Sequence, residues 1–234
     1  MTDAARLSAR FSGLSLGVFA ADHGRLRDEA RQAAAWGAAA LHFDVMDGVF
    51  SPAITGGPGF VAALDVGMLR DVHLMVERPS RQIAAFAQAG ADAITVHAEA
   101  ADAGEAMAAV RAASARLGRP ILAGLALMPD TAVEAIPSLF DAEPDLILLL
   151  AVDPRRKAPP AIDLALAKLA ALKARRWKVA PRYIFDGAVT LATIETIAAG
   201  GPDLVVSGSA VFAAPDPAVS YARLATVLAA ARDG

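Results

Sequence analysis

Arg81-Gln82-Ile83-Ala84-Ala85-Phe86-Ala87-Gln88-Ala89-Gly90-Ala91-Asp92-Ala93-Ile94-Thr95-Val96-His97 is the stretch whose reading decides the fold. Arg81–Gln88 is alanine-rich and amphipathic, the pattern of a helix packed on one face. Ala89-Gly90-Ala91-Asp92 interrupts it with a glycine free to take the left-handed conformation that closes a helix. Ala93–His97 is then a short apolar run of strand length. The same joint recurs at Trp36-Gly37-Ala38 and at Gly200-Gly201-Pro202-Asp203. Working outward, strands are expected at Leu14–Phe19, Ala40–Val45, Asp71–Met75, Ile121–Leu127, Leu146–Val152, Tyr183–Asp186 and Leu204–Ser207. Helices are expected at Arg25–Trp36, Phe60–Leu64, Glu105–Leu117, Ala132–Leu139, Ile162–Arg175, Leu191–Ala198 and Ala218–Ala231. Strands alternating with helices imply a parallel sheet, and eight such units imply closure into a (β/α)8 TIM barrel. The whole chain, 1–234, is read as that one domain. An open doubly wound sheet is the alternative, and it lacks the Gly-x-Gly-x-x-Gly turn after the first strand.

Composition narrows the function. The 234 residues are 56% hydrophobic and 20% charged, with a formal charge of −3 and no cysteine. That excludes a disordered chain, a disulfide scaffold, a thiolate nucleophile and a cysteine-based metal site. The slightly acidic balance argues against nucleic acid as a partner, and no apolar run approaches the roughly 20 residues of a membrane span. The N-terminal residues, with Asp3, Arg6 and Arg10, lack the apolar core of a secretory signal. The expectation is a soluble, cytoplasmic protein.

In this fold, active sites lie at the C-terminal ends of the strands. Reading those ends gives His42 with Asp44, His73, His97, Asp153, Asp186 and Gly208-Ser209, so three of the four histidines share one mouth. His42 and Asp44, two apart on a strand, point to the same face. With His73 and Asp186 they form a plausible centre for a divalent ion: zinc first, with manganese, iron or cobalt as alternatives. Two carboxylates flanking one metal suit removal and return of a proton beside a carbonyl, the chemistry of an epimerase. His97 and Glu99 are read either as support for a metal ligand or as a structural hydrogen bond. Asp47 is expected to bond to backbone in its turn, and Trp36 and Trp177 to pack.

Leu41-His42-Phe43-Asp44-Val45-Met46-Asp47-Gly48-Val49-Phe50-Ser51-Pro52 and Asp71-Val72-His73-Leu74-Met75-Val76 resemble the ribulose-phosphate 3-epimerase family. So do Ala89 to Glu99, Phe185-Asp186-Gly187 and Ser207-Gly208-Ser209-Ala210-Val211-Phe212, which together span nearly the whole chain. The resemblance implies a barrel of the ribulose-phosphate-binding type and one metal ion held by His42, Asp44, His73 and Asp186. It further implies Asp44 and Asp186 as catalytic base and acid, exchanging roles with direction. Substrate contacts are implied at His73, Met46 and Met75, and the substrate phosphate at Gly187, Ala188, Gly208 and Ser209. Homo-oligomers are common among family members, and a small-molecule sugar phosphate is the expected partner.

The departures fall on the substrate side. Gly17 and Ala20 stand where the family has hydroxyl or amide side chains, Gly187-Ala188 where it has paired glycines, and Leu150 where it has methionine. Val152-Asp153-Pro154-Arg155-Arg156-Lys157-Ala158-Pro159-Pro160 replaces a glycine-rich loop. Its three consecutive cations, Arg155 foremost, either grip an anionic substrate through side chains or form an exposed mobile loop. The leading expectation is a metal-dependent epimerase of ketose phosphates. A paralogue acting on another keto-sugar phosphate, metal-dependent aldol cleavage or isomerisation, and a non-catalytic metabolite-binding barrel are the competing readings.

Overall fold

The computed structural model describes residues 2–233. Its centre is a closed barrel of eight parallel strands in sequential order: β1 (Gly13–Gly17), β2 (Ala40–Met46), β3 (Leu69–Met75), β4 (Ala93–His97), β5 (Leu122–Leu127), β6 (Leu146–Leu150), β7 (Arg182–Asp186) and β8 (Leu204–Ser207). The helices are α1 (Asp3–Arg10), α2 (Leu26–Trp36), α3 (Pro58–Ala63), α4 (Ile83–Gln88), α5 (Ala103–Leu117), α6 (Pro137–Asp141), α7 (Ile162–Ala174), α8 (Ile194–Ala199), α9 (Ser209–Phe212) and α10 (Pro217–Asp233). The open doubly wound sheet is therefore excluded, because β1 pairs with β8 as well as with β2.

The period of two sorts each strand between two cores. On β2, Leu41, Phe43 and Val45 pack outward against helices, while Ala40 joins the barrel interior with Leu69, Ala93, Leu122, Leu146 and Leu204. Those interior residues fill the base of the barrel, and Leu7 of α1 and Phe11 plug it from below. His42, Asp44 and Met46 continue the inward series upward, so the same alternation that builds the core hands three polar or soft groups to the mouth. β6 reads Leu146-Ile147-Leu148-Leu149-Leu150 and is buried on both faces, as expected of a strand covered by helices outside and side chains inside. The joint glycines behave as the sequence suggested: Gly37, Gly90 and Gly201 are left-handed, at φ of +87°, +96° and +69°.

Four of the departures from the sequence reading have a plain local description. α1 was not foreseen; Thr2 caps it by accepting the Ala5 amide hydrogen. β1 stops at Gly17, and Val18–Ala20 turn in a 3₁₀ coil instead of extending to Phe19. The helix expected at Ala132–Leu139 breaks into a 3₁₀ turn at Val133–Ala135 and the short α6, because Pro137 bars helical geometry at Ile136. α8 begins at Ile194, not Leu191, because the Thr193 hydroxyl accepts the Thr190 amide and holds a turn there.

Candidate active site

β2 and β3 pair over their full length, with His42 opposite Asp71, Asp44 opposite His73 and Met46 opposite Met75. β7 brings Asp186 in from beyond them. The result is one cluster: His42, Asp44, His73 and Asp186 each offer a ligand-type atom, all within 4.8 Å of one another. His42 Nε2 lies 3.2 Å from Asp44 Oδ1 and 3.6 Å from Asp186 Oδ2. His73 Nδ1 lies 3.1 Å from Asp44 Oδ1 and 3.7 Å from Asp186 Oδ2.

Each histidine is held from behind. His42 Nδ1 is 2.8 Å from Asp71 Oδ2, both side chains being fully buried. His73 Nε2 is 2.9 Å from His97 Nε2, and His97 Nδ1 is 2.9 Å from Glu99 Oε2. His97 thus touches His73, and Glu99 touches His97, a contact that fits either reading offered by the sequence. Asp71 was missed as a site residue. Its signal was present: Asp71-x-His73 repeats on β3 the same-face spacing of His42-x-Asp44 on β2.

The cluster is a good fit for a divalent cation. His42 Nε2 is buried, aims at two carboxylates and makes no hydrogen bond among the described residues. Burying such an atom costs free energy unless something pairs with it. Two imidazoles and two carboxylates are donors of the borderline kind that zinc, manganese, iron and cobalt accept.

The two aspartates are electrostatically unlike. Burial raises both, yet the charge of His42 and the hydrogen bond and charge of His73 override it at Asp44 and hold that carboxyl far below the usual range. Asp186 has burial and the neighbouring Asp44 charge acting together, and is pushed up to about 7. Burial opposes the charge on His42, but Asp44 and Asp71 outweigh it and raise its proton affinity well above the ordinary value. His73 is lowered to about 4, chiefly by burial.

Around this centre stand the other residues picked out from sequence. Met46 and Met75 lie one step nearer the mouth than Asp44 and His73 on the same strands. Gly187 and Ala188 follow β7 with φ of +94° and +56°, so the alanine keeps a left-handed turn that glycine adopts without cost. Gly208 and Ser209 follow β8, with Ser209 opening α9. Gly17 and Ala20 border this turn. A Cβ built at Gly17 would sit 3.6 Å from Gly208 Cα and 3.8 Å from Asp44 Oδ2, and one at Gly208 would sit 3.0 Å from Ala20 Cβ.

The basic loop is not loose. Arg155 Nε lies 2.9 Å from Asp153 Oδ1, and its Nη2 donates to Asp153 and to Asp130. Arg156 bridges the same two aspartates. Further ties link the rim: Asp47 accepts the Glu77 amide, Ser51 Oγ donates to the Pro154 carbonyl, and Glu99 Oε1 accepts the Met128 amide and the Thr131 hydroxyl. Asp47 also accepts the amides of Val49 and Phe50, as its turn suggested. Trp36 packs on Phe212 and Tyr221, and Trp177 on Phe140. No helix among the described residues is long and apolar enough to cross a membrane.

Fold and cluster together define a (β/α)8-barrel enzyme with a histidine–carboxylate centre at the strand ends. A family model described as the ribulose-phosphate 3 epimerase family matches residues 14–212, and the chain belongs to that family. It is by that membership a carbohydrate epimerase. A ribulose-phosphate 3-epimerase of Bacillus subtilis (strain 168) is 36% identical over 204 residues, covering 85% of this chain and 91% of the relative. One from Rhodobacter capsulatus is 35% identical over 221 residues, covering 92% and 93%. Among solved structures, a 3-hexulose-6-phosphate synthase from Salmonella typhimurium aligns with a TM-score of 0.68 at 20% identity, over 94% of this chain and 99% of that one. That last likeness concerns the fold alone.

Proposed function

We propose that this protein inverts the carbon beside the ketone of a phosphorylated ketose, of the ribulose 5-phosphate/xylulose 5-phosphate type, by passing a proton between Asp44 and Asp186. The observation that carries the proposal is the pair itself: two carboxylates from strands on different sides of the mouth, one held ionised and the other near neutrality. Asp44 is charged and ready to accept a proton from one face of the carbon. Asp186, raised toward the working pH, is suited to return one to the other face. In the reverse direction the roles exchange.

His42, Asp44, His73 and Asp186 would hold one divalent ion, zinc by first preference. That ion would supply positive charge to steady the enediolate formed when the proton leaves. Met46 and Met75 line the sugar with apolar, adaptable surface. The phosphate is assigned to backbone amides after β7 and β8, at Gly187, Ala188, Gly208 and Ser209, where barrels of this kind place such groups. Arg155 contributes to the rim over the substrate, its guanidinium already shared between Asp153 and Asp130.

The test is solvent exchange. Protein stripped with chelator and reconstituted with zinc, manganese or iron is expected to wash deuterium from solvent into the substrate while interconverting two epimers. Failure with every pentulose and hexulose phosphate, at full metal occupancy, refutes the reading. A second reading, the same chemistry on a different keto-sugar phosphate, is favoured by Gly17 and Ala20 beside the phosphate turn and by the clamped Arg155 loop. A substrate panel separates the two.

A further inference from the structure

Ala188 stands in a backbone conformation that its side chain resists. Its φ of +56° is left-handed, a region where a Cβ crowds the following carbonyl oxygen. A non-glycine residue keeps that shape only when its surroundings enforce it. Enforcement comes from both sides of the turn. On the β7 side Gly187 has no room to shift, because a Cβ built on it would lie 2.8 Å from Val152 Cγ2 and 3.1 Å from Val152 N. The Ala151 amide also donates to the Asp186 carbonyl at 2.8 Å. On the α8 side the Thr193 hydroxyl donates to the Ala188 carbonyl at 2.7 Å and accepts the Thr190 amide at 2.9 Å. The next carbonyl, of Val189, takes the Ser207 hydroxyl at 3.2 Å. A peptide group is planar, so a donor fixed on the Ala188 oxygen fixes the whole unit and resists rotation about the Ala188 dihedrals.

We propose that Thr193 is a positioning residue for the substrate phosphate: by anchoring the Ala188 carbonyl it keeps this alanine left-handed, and so keeps the turn after β7 in the shape that receives that group. The inference rests on the phosphate assignment made above and adds to it a side chain outside the turn. A hydroxyl carries one hydrogen, and here it is directed at backbone, so Thr193 acts through Ala188 and not on the substrate. Hydrogen bonds from amides to a phosphate are charge-assisted and directional, and a turn that relaxes loses them.

The same geometry makes the role of Thr193 depend on the residue it holds. Glycine adopts the left-handed shape without a Cβ penalty, so a glycine at position 188 needs its carbonyl anchored less. Thr193→Val keeps the shape of the side chain and removes only the hydroxyl.

The experiment uses the zinc-reconstituted full chain, with ribulose 5-phosphate as substrate and inorganic phosphate as a competing probe. Thr193→Val is expected to raise KM and the phosphate inhibition constant together by about tenfold, the worth of one charge-assisted hydrogen bond, while kcat stays close to wild type. Thr193→Ser, which keeps the hydroxyl, is expected to match wild type in both constants. Made beside Ala188→Gly, Thr193→Val is expected to change them by about twofold or less. In protein labelled with heavy nitrogen at its alanine amides, the signal that Ala188→Gly removes is expected to move when phosphate is added to wild type.

Unchanged KM and phosphate inhibition in Thr193→Val overturn the proposal. So does a fall in kcat as large as the rise in KM, which marks general loosening, or an undiminished effect beside Ala188→Gly. If the valine variant does not fold, Thr193→Ala is read against the same outcomes. A wild-type Ala188 signal that stays still at saturating phosphate shows that the phosphate assignment itself fails, and the proposal with it. If the wild type turns over no ribulose 5-phosphate, phosphate affinity read from that signal decides the role of Thr193 by the same comparison of variants.

Discussion

Replacing Asp186 by asparagine separates the two halves of a two-carboxylate proton transfer. The side chain is nearly the same size, and its nearest histidine nitrogens are 3.6 and 3.7 Å away, so no short ion pair is lost. Burial and the Asp44 charge push its pKa up to about 7, so near neutral pH the substitution removes a group already protonated in a large share of molecules. The fold should therefore survive, melting at or above the temperature of the metal-free wild type. Catalysis should not. A positioned general acid or base contributes about 10²–10⁴-fold, equivalent to about 3–5 kcal/mol of barrier at 1.36 kcal/mol per tenfold.

Asp44 remains, and it serves only its own face of the carbon. Incubated in D₂O at saturating zinc and followed by proton NMR, the variant is expected to exchange hydrogen in one epimer without converting it, and to leave the other untouched. Interconversion falls by about 10²–10⁴-fold. Turnover within about tenfold of wild type, or equal exchange into both epimers, refutes the assignment of one proton carrier to each face.

Three other outcomes can be checked. Zinc must displace the proton that Asp44 and Asp71 hold on His42, so its affinity should fall as pH drops and binding should release protons, seen by calorimetry in buffers of different ionisation enthalpy; pH-independent affinity would contradict this. Glu99 is lowered from 4.5 to about 2, against the pull of burial, by its bonds to His97, Thr131 and Met128. Its stabilisation, on the order of 3 kcal/mol, is present above about pH 4.5 and lost as pH falls toward 2. The urea-denaturation gap between wild type and Glu99→Gln should thus close on acidification, and a gap of constant size argues against that linkage. Gly124→Ala places a Cβ 2.9 Å from Thr95 Cβ and 3.1 Å from its Cα, so it should cost about 1–3 kcal/mol by overpacking the barrel centre. A melting temperature unchanged from wild type would show that β4 and β5 can part there.

Much of this was legible because the signals are local. The glycine joints and the alternation of periods give the barrel, since each depends on a few neighbouring residues. His42 and Asp44 were legible as a pair because period two puts them on one face. Asp71 was legible as a same-face neighbour of His73 but not as the partner of His42, because that depends on the register of β2 against β3. The Arg155 loop escaped for the same reason. Arg155 and Arg156 pair with Asp153 in their own loop and with Asp130, which for Arg155 is 25 residues away on another loop, and that second contact exists only after the barrel closes. The helix expected at Ala132–Leu139 does not form in one piece because Pro137 disfavours helical geometry at Ile136, whatever the average propensity of the stretch.

The rim is cross-tied: the segments after β2, β4, β5 and β6 are joined through Ser51–Pro154, Glu99–Thr131 and Asp130–Arg155. Anyone wishing to retarget this barrel by grafting a loop from a cousin would find that none of these four segments can be exchanged alone. Transplanting the piece that carries Arg155 without those bearing Ser51 and Asp130 strands a carbonyl, a hydroxyl and a carboxylate at once. These segments have to be moved as a block.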